Sequence, residues 1–290
     1  MKITNILALG ALAGALGLAP IQAETVYAIT DSNQLLSFDA GAPGMVSPLL
    51  SISGLQLNEK LLGIDFRPRT GQLYGLGSTN RLYMIDRFSA AATQVGGVFS
   101  TALAGSSFGI DFNPVPDRLR VISNANQNLR INPITGAVAV TDPDVQYAAG
   151  DINFGQEPNI VGAAYTNSVP FPSSTQLFTL DSQWDTMNRN GPSPTFQNMT
   201  TIATLPILTS DQVGFDISGG SGIAYISVSP NKWTEFYSVN LMTGKTTSRG
   251  MIGSGLRITD ISVAPVPEPA TMAVAGLSLL GLALLRRRAA

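Results

Sequence analysis

The 290-residue sequence contains neither cysteine nor histidine. Without cysteine there are no disulfides, so the folded part must be held together by core burial. The two absences together remove thiolate nucleophiles, imidazole bases and the usual zinc ligand sets, and a Ser-His-Asp triad cannot be assembled. Charge is also scarce, at 12% of residues, with a net charge of −2. Basic residues are scattered singly, which is not the electrostatic footprint of a nucleic-acid binder. No glycine-rich phosphate loop is present, because the glycines sit at turns without the required Lys-Ser/Thr or strand-to-helix context.

What is present is most informative at the two ends. Met1 and Lys2 form a short basic start, residues 6–18 are apolar with interspersed glycines, and small residues precede a cut between Ala23 and Glu24. Residues 1–23 therefore read as a cleaved secretory signal, since the run is too short and glycine-rich for a spanning helix. At the other end Val266-Pro267-Glu268-Pro269 precedes an uncharged run over 270–285, followed by Arg286, Arg287 and Arg288. As a transmembrane helix that run would reach about 24 Å, slightly under the ~30 Å hydrocarbon core. The arginines keep to the cytoplasmic side, which leaves the preceding domain outside, in agreement with the N-terminal signal. The prolines make an extended, protease-accessible linker.

This order of features resembles the PEP-CTERM sorting signal of Gram-negative bacteria. The resemblance implies an exosortase as processing partner and a transient stay in the inner membrane. Cleavage near Pro-Glu-Pro and delivery to the cell surface or extracellular matrix would follow. An ordinary single-pass anchor is the alternative reading.

Between the ends, one phrase recurs. "LLGIDFRPRTGQLYGL", "SFGIDFNPVPDRLRVI", "IVGAAYTNSV" and "QVGFDISGGSGIAYIS" align at Gly63, Gly109, Gly162 and Gly214, and a degenerate copy, "ITDISVAP", puts Asp260 in the glycine position. The spacings of 46, 53, 52 and 46 residues belong to propellers and related arrays. Within each unit the apolar residues alternate on a two-residue beat, giving four short strands joined by tight turns. Asn132 and Asn240, with Asp39 and Asp86 in looser versions, stand where an Asx side chain can bond a turn that ends in a positive φ. The chain starts at a second strand, "TVYAITD", and the missing first strand is supplied by "ITDISVA". The expected fold is all-β: a five-bladed propeller over residues 24–265, its first blade closed by the C-terminal strand, which hides the edges that invite aggregation.

The phrases "YAITDSNQLLSFD", "FGIDFNPVPDRLRVISN" and "YAAGDINFGQEPNIVGAAYTNSV" also resemble an exported bacterial family known as a domain of unknown function. That resemblance implies a propeller-like β fold and carries no activity, substrate or catalytic residue.

Asp65, Asp111 and Asp216 share one repeat position, and first strands line a propeller's channel. They read either as a cation or sugar site or as acceptors for backbone groups of a neighbouring blade; a residue repeated with the unit favours the second. The unit at Gly162 has alanine there and the last has Ser262, so a ring of carboxylates is incomplete. In the acidic stretch over 141–159, Asp142, Asp144 and Asp151 are weak calcium candidates, and no other cofactor is expected. Residues 185–201 read as the longest irregular segment. Trp184, Trp233 and the tyrosines at 74, 83, 165, 225 and 237 are expected in the core or between blades. The function expected is noncatalytic: an exported surface or matrix scaffold that binds polysaccharide or another protein. The alternative is a carboxylate-dependent glycosidase or lyase acting on matrix sugar, which needs a paired Asp or Glu rather than histidine.

Overall fold

The glycine-bearing phrases form strands Leu61–Arg67, Phe108–Asn113, Ile160–Tyr165 and Val213–Ile217, and the degenerate copy forms Ile258–Val263. These are the inner strands of five sheets in a computed structural model that describes residues 24–265. Most of their residues are buried, because each inner strand has its own sheet on one side and two neighbouring inner strands on the others. Packing runs from blade 1 to blade 5 and back to blade 1, so the five inner strands make a closed ring.

The seam is where the sequence pattern puts it. Ile258–Val263 pairs antiparallel with Thr25–Thr30, with Val26 opposite Val263 and Ala28 opposite Ile261. Blade 1 is completed by Gln34–Asp39 and the two-residue strand Leu50–Ser51. Blades 2, 3 and 5 are four-stranded meanders, whereas blade 4 gains a fifth strand, Gln146–Tyr147, parallel to its outer strand Asn198–Thr204.

Apolar burial is divided among five clusters, one for each interface between blades. Leu61 and Ile64 meet Ile29 and Leu35 between blades 2 and 1. Val26 and Ile261 meet Tyr225 and Phe236 between blades 1 and 5. The remaining three interfaces are filled in the same way. A ring with a loose joint would leave one interface unfilled, and none is.

The repeated glycine is explained by this packing. A Cβ on Gly109 would stand 2.5 Å from the Ala163 nitrogen and 2.5 Å from the Gly162 carbonyl carbon, so any side chain there collides with the next inner strand. The Asx turns also form. Asn132 Oδ1 accepts from the Ile134 amide at 2.9 Å, Asn240 Oδ1 from the Met242 amide at 2.9 Å, and Gly136 and Gly244 follow at φ 67° and 68°.

Two expectations need correction. Residues 185–201 are not an irregular segment: Thr186–Gly191 and Asn198–Thr204 pair along their length and form two of the five strands of blade 4. The inward positions there are filled by amides rather than hydrocarbon, with Asn188 and Asn190 both buried, which erases the apolar beat. Trp184 and Trp233 are not core residues; they sit at hairpin turns, 39% and 43% exposed. The tyrosines at 74, 83, 165 and 225 are buried as expected. The expected signal peptide and the expected transmembrane helix over 270–285 lie outside the described residues. Among the described residues no helix is long and apolar enough to cross a membrane.

Candidate functional site

Asp65, Asp111 and Asp216 meet on the axis of the ring. They come from blades 2, 3 and 5, and one oxygen of each lies within 4.8 Å of the other two. Blades 3 and 5 are not adjacent, so the contact is made across the channel. The three residues are 5%, 2% and 4% exposed, so the cluster is buried.

Each of these positions also reaches sideways to the next blade. Ser262 Oγ accepts the Phe66 amide at 3.1 Å, Asp65 Oδ2 the Phe112 amide at 2.7 Å, and Asp216 Oδ2 the Val263 amide at 2.5 Å. Asp111 stands beside the equivalent amide, that of Tyr165. Blade 4 has Ala164 at this position and offers no acceptor. The Ile217 amide that an acid there would serve bonds Asp216 Oδ1 instead, at 2.6 Å. Asp260 fills the glycine position of the closing strand and accepts the Ile64 and Ile261 amides at 2.8 and 2.9 Å. The repeat carboxylates thus tie adjacent inner strands together around the ring.

That role does not use all their capacity. Ser262 Oγ donates to Asp65 Oδ1 at 2.8 Å and lies 3.3 Å from Asp216 Oδ2. Asp111 Oδ1 is buried and accepts from no protein donor, and a proton on Asp111 would be shared with the neighbouring Asp216. Burial pushes Asp65 far above the usual carboxylate range, and the Asp216 charge adds to the effect. Asp111 is raised as strongly, first by burial and then by repulsion from Asp65 and Asp216. Asp216 is pushed up by burial only to about 6, because the Val263 and Ile217 amides and the Ser262 hydroxyl favour its charged form. Three negative charges cannot share this volume uncompensated; protons or a cation must accompany them.

The acidic-stretch candidates do not come together in this way. Asp142 takes two bonds of 2.8 Å from Arg130 and one of 3.2 Å from the fully buried Arg120. Asp151 is held by the Thr201 amide at 2.6 Å and hydroxyl at 2.9 Å, and Asp144 is exposed. Among the described residues the axial aspartates are the one group of three carboxylates close enough to hold an ion. Glu24, the residue after the expected signal cut, is built into the interface between blades 1 and 5. Its carboxylate accepts from the Tyr225 hydroxyl at 2.6 Å and from the Ser218 hydroxyl.

Arg120 was not legible as important. It donates to the Tyr165 hydroxyl at 2.5 Å, to the Pro194 carbonyl at 2.8 Å and to Asn128, joining blades 3 and 4. Its only signal is an arginine on the buried beat of "RLRVI". Glu59 accepts from the Tyr83 hydroxyl at 2.5 Å and from Thr79 and Gln56. Burial tends to raise it, yet these donors outweigh that and hold it below its usual value.

Three surface clefts of ≈ 470, 360 and 480 Å³ lie on blade 5, between blades 3 and 4, and on blade 2. Only the last is lined by a carboxylate, Asp86, whose oxygen caps the Phe88 and Ser89 amides. A glycosidase needs two carboxylates flanking a substrate in an open cleft. None of these clefts offers the pair, and the axial aspartates are buried.

A five-bladed propeller with a carboxylate-tied axis is therefore the class of protein. The profile of a domain of unknown function, DUF4394, matches residues 34–262, and the chain belongs to that family. The PEP-CTERM protein-sorting motif matches residues 265–288. That motif implies recognition by exosortase and export across the membrane to the cell surface of a Gram-negative bacterium. No curated protein matches the chain. Among solved structures, a chain from the crystal structure of a nidogen/laminin complex is 11% identical, with a TM-score of 0.50, over 83% of this chain and 98% of that one. At that identity the likeness concerns the fold alone.

Proposed function

We propose that the protein is a noncatalytic scaffold of the bacterial surface or matrix, whose propeller binds polysaccharide after release at its sorting signal. The observation that carries this reading is the sorting motif joined directly to a closed ring: it begins at residue 265, two residues beyond the closing strand. A domain delivered so close to its processing site acts where it is left. Its secretion begins with removal of residues 1–23, and residues 270–285 hold it briefly in the inner membrane. The cleft between blades 3 and 4 suits a sugar chain, because Asn113, Arg130, Ser173, Ser174 and Thr175 line it with amide, guanidinium and hydroxyl groups beside the ring of Phe196.

Glycan-array binding of the exported protein tests the proposal. At least one polysaccharide class should be retained, and Ser174→Trp, which fills the cleft from an exposed position, should weaken it about tenfold or more. Retention of an envelope protein instead of any glycan would move the reading to a protein-binding scaffold. Silence from both the array and the pulldown would remove the scaffold reading altogether.

A further inference from the structure

We propose that the channel of the ring binds one calcium ion, held by Asp65, Asp111 and Asp216 with the Ser262 hydroxyl beside them. Oxygens no more than 4.8 Å apart all lie within about 2.8 Å of a common point, whatever the triangle's shape. Calcium takes about 6–8 oxygen ligands at roughly 2.3–2.6 Å, so a small contraction brings the three carboxylates into contact, and their second oxygens, the Ser262 hydroxyl and water fill the remaining positions. Magnesium demands about 2.0–2.1 Å and a near-ideal octahedron. Reaching it would draw Asp65 and Asp216 off the amides of Phe112 and Val263 that fix them.

A second observation, separate from the clustering, points to a ligand. Asp111 is 2% exposed, and its Oδ1 has no donor in the protein, although Asp65 and Asp216 are each supplied with several. A buried carboxylate oxygen without a donor is costly, and a hard cation satisfies it directly. The ligands are acid oxygens on three rigid inner strands, which holds the site without any loop having to fold around the ion. Asp65 and Asp216 keep their interblade bonds in the process, since each carboxylate oxygen has two lone pairs.

The site is buried, and its fourth group, Ser262, arrives on the closing strand. Calcium must therefore enter before or as the ring shuts, and the folded protein should exchange it slowly. The experiment follows from this. The exported protein is unfolded and refolded in chelator, then refolded again with calcium or magnesium alone, with elemental analysis of each product.

Calcium should be retained at about one ion per chain and should raise the melting temperature by about 5 °C or more, with magnesium giving a much smaller rise. Asp111→Asn should fold and lose the calcium response; Asp144→Asn, an exposed acid outside the channel, should keep it. If Asp111→Asn does not fold, Asp216→Asn and the metal content of the unmodified protein decide the matter in the same way. No bound metal and no shift would mean that protons alone neutralise the cluster, and the proposal fails. It fails equally if Asp111→Asn still responds to calcium, or if magnesium matches calcium.

Discussion

At Gly109 and Gly162 the same repeat position makes different demands. A methyl group on Gly109 collides with backbone at 2.5 Å, whereas on Gly162 its nearest neighbour is the Phe215 Cβ at 3.0 Å. Gly109→Ala should cost about 3 kcal/mol or more and Gly162→Ala about 1 kcal/mol, read from denaturant midpoints. The axial acids make a second prediction, with a definite sign. Asp216 is raised from its ordinary value to about 6, so the folded chain keeps a proton that the unfolded chain gives up. Its contribution is present in full below about pH 4 and is lost as pH rises through about 6. Asp65, Asp111 and Asp260 are also raised, chiefly by burial, and act in the same direction. Glu59 and Asp117 act oppositely. Both are lowered, so their contributions hold above the usual carboxylate range and fade as pH falls through their folded values. Calcium-free protein should therefore melt highest in mildly acidic buffer and progressively lower towards alkaline pH, as a calorimetric pH series would reveal. The repeat of Asp65, Asp111 and Asp216 was legible because one geometric need recurs in several blades. Their meeting across the channel was not, since it depends on how far apart the blades stand.

At the scale of the element, strands with hydrocarbon on the inward beat could be read and strands with buried amides could not. Phe108–Asn113 and Ala224–Val228 announce themselves by apolar residues. Thr186–Gly191 hides its inward side in polar groups: Asn190 Oδ1 accepts from the Thr179 hydroxyl at 2.8 Å, and its Nδ2 donates to the Phe196 carbonyl at 3.1 Å. Burial of such residues is stable only when a partner is already in place, and partners far apart in the chain leave no local pattern. The Arg120 junction has the same character. Arg120→Ala removes the link from blade 3 to the Pro194 carbonyl and leaves Asp142 with Arg130 alone. A loss of about 3–5 kcal/mol is expected, measured by chemical denaturation. Asn240→Ala removes a turn acceptor at the surface and should cost only about 1 kcal/mol in the same assay.

For the whole molecule, the seam controls cooperativity. Removing residues 258–264 takes away an inner strand, Asp260, Ser262 and the apolar side chains that seal blade 1 against its neighbours. The truncated chain should lose its sharp melting transition; an unchanged transition would mean that the other four blades stand without it. Replacing Pro267 and Pro269 with alanine should spare the melting transition and block release from the inner membrane, which fractionation and mass spectrometry of the C-terminus would detect. Five blades and their closure were legible because the first and last strands are complementary fragments of one unit. The tie between that closure and the axial acids was not.

A seam built from the first and last strands of the ring also sets a timetable. On an N-terminus-first export route the strand at Thr25–Thr30 would emerge early and wait, its flank bare, until the segment at Ile258–Val263 had crossed behind the strands of the other four blades. A passenger stalled before that point would display an open β edge to proteases and to other stalled copies.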